Sequence, residues 1–195
     1  MSLPSSSILD AAVKDIINAA GSPRALGQIE KLLHDLTKCF HSSGELAHEE
    51  EDDEVLLHAG SSLTIYHITL SPCLQYPPHN HLMDAFIGIY QGGETNFIYP
   101  VAAGKCGIPE RRDFTAPAVV HLPSHAVHSV ANTGSSRSGA LHVYLGDLSR
   151  AARQLWTFQS NQAEPFDNAR YLAGARPLAW IRDTLDHSHQ SMRRH

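Results

Sequence analysis

Residues 77–94 read PPHNHLMDAFIGIYQGGE. His79 and His81 stand one residue apart directly after a proline pair, and an apolar run and a Gly-Gly turn follow. On an extended chain, side chains two apart share a face, so both imidazoles can point the same way. Imidazoles that are buried need partners. Two on one face form half of a divalent-metal site, but taken alone the H-x-H signal is weak, and two strand-end histidines bonded to backbone or water compete with it. The first reading needs a further donor elsewhere in the chain.

Working outward, the apolar period around this stretch is two. LTIYHITL (63–70), DAFIGIYQ (84–91), TNFIYPV (95–101), AVVHLP (118–123) and ALHVYLG (140–146) are β-branched or aromatic-rich and bounded by Gly, Pro, Ser and Asn. Short strands at this spacing, with no helices between them, predict an antiparallel sandwich or barrel. The chain before them has the helical period. Ser7 is placed to cap a helix from Ile8 to about Ala20, with Gly21 at its stop, and Pro23 suits the first turn of a second helix. In that second helix Leu26, Ile29, Leu32, Leu33, Leu36 and Phe40 form one apolar face. HEEEDDE (48–54) is read as a solvated loop or helix face. After Asp147, RAARQLW, FDNARYLAG and PLAWIRDTL are read as helical, and the tail HSHQSMRRH, with His187 and His189, as exposed. The predicted organisation is a helical region over 1–58, a barrel over 59–147 and a helical extension over 148–195.

Composition narrows the function. The chain has 195 residues, 42% of them hydrophobic, which is ordinary for one folded core. A formal charge of -5 argues against a nucleic-acid surface. No apolar run approaches the ~20 residues of a membrane span. MSLPSSSILDAAVKD lacks a basic start followed by an apolar stretch, so no secretory signal is expected. Cys39, Cys73 and Cys106 are widely spaced and odd in number, which fits a reducing cytoplasm; Cys73 is expected to pack. Histidine is the unusual residue: of 14, six fall between residues 79 and 142.

A second histidine element appears in LPSHAVHSVANTG (122–134). A proline-initiated turn leads to His128, with Asn132 four residues on. Taken together, the two elements resemble the cupin superfamily, whose first motif is H-x-H followed by an acid and a distant Gly, and whose second is P-x-G-x-x-H-x-x-x-N. His79, His81 and Gly92 match the first, and Pro123, His128 and Asn132 the second, over roughly residues 60 to 146. The resemblance implies a mainly β fold, the double-stranded β-helix barrel or jelly roll, here with N-terminal and C-terminal helices. His125 replaces the second motif's glycine, in a turn where His is among the less penalised residues. The motif glutamate falls at Ala85 or Phe86, neither of which ligates a metal. The implied site is therefore His79, His81 and His128, with Asp84 and Glu94 the nearest acids and Asp84 a ligand only through a bulge.

Within the cupins, the three-histidine thiol dioxygenases carry a Ser-x-His-x-Tyr chain at the corresponding distance after the third ligand. Here it reads Ala140-x-His142-x-Tyr144, with His142 and Tyr144 on one face of a strand. This similarity implies iron(II), with Zn, Ni, Mn and Cu also suited to imidazole, Tyr144 as acid or hydrogen-bond donor, and His142 as its orienting group. It implies a small-molecule substrate and O2 as partners. The family's carboxylate-binding arginine precedes the H-x-H strand. The comparable stretch here, VLLHAGSSLTIY (55–66), has none, which leaves His58 as the nearest basic group, with Phe86 a second candidate substrate contact. Arg111 and Arg112 are read as solvated, and His121 and His125 as structural or exposed. Two further readings stay open: a metal-binding cupin used for small-molecule capture or sensing, and a non-redox metal enzyme.

Overall fold

The computed structural model describes residues 6–44 and 54–178. Two helices, α1 (Ser6–Ala20) and α2 (Ala25–Ser43), come first. Strands β1 (Glu54–Ala59), β2 (Thr64–Leu70), β3 (Leu74–Gln75), β4 (His79–Asn80), β5 (Ala85–Gln91) and β6 (Gly93–Ile98) follow. A small hairpin, β7 (Val101–Ala102) and β8 (Lys105–Cys106), leads to β9 (Glu110–Thr115), β10 (Ala118–Leu122), β11 (Val127–Asn132) and β12 (Ser138–Tyr144). The described chain ends with β13 (Gln154–Trp156), β14 (Ala163–Pro165), the short helix α3 (Asn168–Ala173) and β15 (Arg176–Pro177).

Two antiparallel sheets face each other. One has the order β1-β2-β12-β5-β10. In the other, β11 pairs on one side with β6, which pairs with β9, and on the opposite side with β3 and β4 in turn. The four-strand cores β2-β12-β5-β10 and β4-β11-β6-β9 define a jelly roll, the expected double-stranded β-helix. Pro77 and Pro78 separate β3 from β4, because neither can donate to the ladder. Hydrogen bonds still tie the gap to its neighbours: the Tyr76 N–H donates to the Val130 carbonyl, and the Pro78 carbonyl accepts from the Trp156 N–H.

The period of two sorts side chains between two cores. Leu63, Ile65, Phe86, Tyr90, Leu141 and Val143 face outward and pack against Ala12 and Ile16 of α1 and Ile29, Leu33 and Phe40 of α2. Their neighbours Ala85, Ile87, Ile89, Ala140 and Tyr144 face the barrel interior. The helical pair thus covers one sheet's outer face. Gly44 ends α2 in the left-handed conformation, φ 66°, and returns its N–H to Phe40. Gly92 has φ +65° between β5 and β6, where a Cβ would come 2.9 Å from the Arg137 carbonyl, so the turn requires glycine.

Several expectations change. Ser7 lies inside α1 rather than capping it, α2 starts two residues after Pro23, and Leu26 is exposed. β1 pairs with β2 across the expected 58/59 boundary, so the sheet begins at Glu54, the last residue of the charge run; residues 48–53 lie outside the described chain. RAARQLW is not helical: Gln154–Trp156 is strand, held between β4 and β14. FDNARYLAG contains α3, capped by the Asp167 side chain on the Arg170 N–H. PLAWIRDTL opens with Pro177 in β15 and then, like His187 and His189, leaves the described residues. Cys73 is exposed, at φ 59°. His125 keeps a negative φ in a turn closed by the Ala126 N–H on the Pro123 carbonyl, so no glycine is needed there. No helix among the described residues is long and apolar enough to cross a membrane.

Candidate metal centre

β4 and β11 run side by side, with His79 opposite His128. His81 lies two residues beyond His79 and returns to the same face. The three imidazoles converge: one nitrogen from each lies within 4.8 Å of the others, and His79 Nε2 is 3.1 Å from His81 Nε2. All three are buried, with exposures of 6%, 4% and 2%.

Hydrogen bonds set which nitrogen faces inward. The Pro77 carbonyl accepts from His79 Nδ1 at 3.1 Å, and the Asn96 side-chain oxygen accepts from His128 Nδ1 at 2.8 Å. With their protons on Nδ1, both rings turn an Nε2 lone pair toward His81. His128 Nε2 is buried with no partner among the described residues. Burial pushes the pKa of His79 down to about 4, against the Pro77 hydrogen bond, and the Arg153 charge lowers it further. Burial and neighbouring imidazoles hold His81 and His128 well below the ordinary histidine value. Three neutral rings with converging lone pairs and an orphaned nitrogen have the donor chemistry of a divalent-metal site, and a metal ion fits this cluster.

The remaining expected residues divide. Tyr144 and His142 border the same cavity, of about 280 Å³, as the three histidines. The Tyr144 hydroxyl is 3.2 Å from His142 Nδ1, and its ring centroid is 4.9 Å from that of His81. Burial raises the Tyr144 pKa and pushes His142 down to about 3, so at neutral pH the phenol keeps its proton and the imidazole is neutral. His142 Nε2 is buried without a partner among the described residues, consistent with Ala140 in the serine position.

His58 and Phe86 do not border the cavity. Phe86 points to the helical side of the sheet, because it is one residue out of phase with Ala85, and stacks on His121 at 4.5 Å. His58 is carried by β1, at the sheet edge. Asp84 pairs with His121 Nε2 at 2.7 Å on the outside, and His125 is exposed. Glu94 is buried but outside the histidine cluster, accepting from Ser138 at 3.4 Å. Arg111 and Arg112 form exposed pairs with Asp113 and Glu110.

Two contributors escaped the sequence reading. Asn96 carries no motif signal; only its pairing register on β6, diagonal to His128, brings it to the ring. Arg153 was read within a helix. It precedes β13, and the pairing of Leu155 with His79 delivers it to the cavity. Its guanidinium lies 3.8 Å over the Phe166 ring and, among the described residues, has no hydrogen-bond acceptor. Nothing local distinguishes it from Arg150, three residues earlier.

No protein-family model matches the chain, and no curated protein is detectably similar in sequence. Solved structures are similar over about half of the chain. An RmlC-like cupin with a double-stranded β-helix fold from Methanocaldococcus jannaschii is 17% identical, with TM-score 0.42, covering 53% of this chain and 91% of that one. A cupin superfamily protein from Desulfitobacterium hafniense is 20% identical, with TM-score 0.40 over 52% of this chain and 83% of that one. Bacillus subtilis oxalate decarboxylase, whose Mn(II) centers have been studied, is 15% identical with TM-score 0.42; the match covers 53% of this chain and 28% of that protein. Fold and site together define the class: a jelly-roll protein with a three-histidine cluster suited to one metal ion.

Proposed function

We propose that this protein is a mononuclear non-haem iron(II) dioxygenase of the thiol dioxygenase type, which adds both atoms of O2 to the sulfur of a small thiol and yields a sulfinate. The observation that carries this reading is the convergence of three buried, neutral imidazoles on one side of a cavity, with a protonated tyrosine beside them. His79, His81 and His128 would hold the metal. Iron(II) bound there would supply oxygen activation and a Lewis acid for the thiol.

The chain's own residues have distinct tasks. Tyr144 keeps a donor proton on its hydroxyl beside His81, and His142 fixes the direction of that hydroxyl. Arg153, its guanidinium over the Phe166 ring, offers a cation and free N–H donors to a substrate anion, with the Glu54 carboxylate on the same cavity partly offsetting its charge. It replaces His58 as the residue suited to that role. Tyr171 and Phe166 line the cavity on the C-terminal side and place aromatic surface against a bound substrate.

A second reading, a metal-binding module for small-molecule capture, is favoured by Ala140: it leaves His142 without the hydroxyl that completes the relay in thiol dioxygenases. Oxygen uptake separates the two. Protein loaded anaerobically with Fe(II) is given cysteine, 3-mercaptopropionate, cysteamine or a Cys-initiated peptide, with His79→Ala as control. Uptake requiring both thiol and His79, matched by sulfinate formation, supports the enzyme. Bound iron with no uptake supports capture.

A further inference from the structure

The cavity has two unlike walls. One is polar: the three histidines, His142, Tyr144 and Arg153, together with Glu54 and Asn168. The other is hydrocarbon and aryl, formed by Ile68, Leu70, Tyr76, Val130, Phe166 and Tyr171, which belong to one apolar cluster. Register explains the division. On β12, Tyr144 and His142 lie opposite Thr64 and Tyr66, whereas the next inward pair is Ala140 opposite Ile68. On β11, Val130 lies one inward step below His128. On β11 and on β12 alike, an inward polar residue is followed two positions along by an inward apolar one, and Ala140 is small.

We propose that this apolar lobe binds an apolar body, so that the substrate is an acid carrying an alkyl or aryl group rather than a bare two- or three-carbon thiol. The substrate's anion faces Arg153 and its hydrocarbon lies against Ile68, Leu70 and Val130. Water holds such a space only where it finds two to four polar partners, and the wall of Ile68, Leu70 and Val130 has no side-chain hydrogen-bonding atom. A hydrocarbon group meets no such requirement and gains from leaving solvent.

This inference rests on the enzyme reading only for the thiol; the apolar acid is tested without turnover. Calorimetry on the metal-free protein compares propionate, hexanoate and 3-phenylpropionate, none of which has a sulfur. The expected result is affinity at least tenfold higher for one of the two larger acids than for propionate. Val130→Phe, which fills the lobe, is expected to reduce that ratio at least fivefold. Equal affinities, or no binding of any acid, overturn the proposal, and the wild-type series decides even if Val130→Phe does not fold. Oxygen uptake by the Fe(II)-loaded protein is measured in parallel with 3-mercaptopropionate and with mercapto acids carrying a butyl or a phenyl group. Size preference without uptake from any thiol keeps the apolar-acid site and removes the thiol reaction; uptake without size preference does the reverse.

Discussion

His128 Nδ1 lies 2.8 Å from the Asn96 side-chain oxygen, and this bond decides that His128 faces its neighbours with a bare Nε2. Removing the acceptor frees the ring to rotate and to change tautomer. Asn96→Ala is expected to weaken metal binding about 10–100-fold, measured by competition with a chelating dye. Asn96→Asp keeps an acceptor and is expected to retain most of the affinity. Equal affinity in Asn96→Ala and wild type would show that the bond does not orient the ligand.

Arg153 is the cation facing the cavity with no acceptor among the described residues. Arg153→Ala is expected to raise KM for anionic substrates about tenfold or more, with a smaller change in kcat. Arg153→Lys restores charge but not the flat contact with Phe166, and is expected to fall between the two. The check is KM for a substrate and its amide analogue, since the amide's KM should be insensitive to both changes.

Glu94 gives a pH-dependent stability. Burial raises its pKa to about 7, against the lowering effect of its Ser138 hydrogen bond. Its folded-state pKa therefore exceeds that of the unfolded carboxyl, 4.5. Between these values the folded state holds more protons, so this contribution is present in full below about 4.5 and is lost as pH rises to about 7. Glu94→Gln removes it. The variant is expected to gain on the order of 3 kcal/mol relative to wild type between pH 4.5 and pH 8. Denaturant titrations at both pH values measure this; a pH-independent difference would contradict it.

Gly92 cannot accept a side chain, because φ is +65° and backbone already occupies the Cβ position. Gly92→Ala is expected to cost roughly 1–3 kcal/mol, read from the denaturant midpoint. Gly44, also at positive φ but with open space around it, is expected to tolerate alanine better.

The barrel was readable because its inner strands are short, β-branched or aromatic-rich and bounded by turn residues; LTIYHITL and ALHVYLG are buried on both faces, which is why apolar residues occupy both phases of the period. The convergence of His79, His81 and His128 was legible from the resemblance of two short motifs to the cupin pattern, not from the apolar period. β9 was not, since ERRDFT is an exposed strand whose ion-paired side chains show no apolar period. β13 was missed because three residues held between β4 and β14 need no period of their own. That error concealed Arg153. Phe86 was misplaced by one residue of phase, enough on a strand to send it to the opposite face. Asn96 depends on cross-strand register, which neither composition nor spacing encodes.

Metal stoichiometry tests the central claim most directly. The wild-type protein, incubated anaerobically with Fe(II) and freed of excess, is analysed for metal beside His79→Ala, His81→Ala and His128→Ala, with circular dichroism to confirm folding. The account predicts one metal per wild-type chain and loss of that metal in each folded variant. Metal retained at full stoichiometry in any of the three folded variants, or a wild-type chain that binds none, would contradict it.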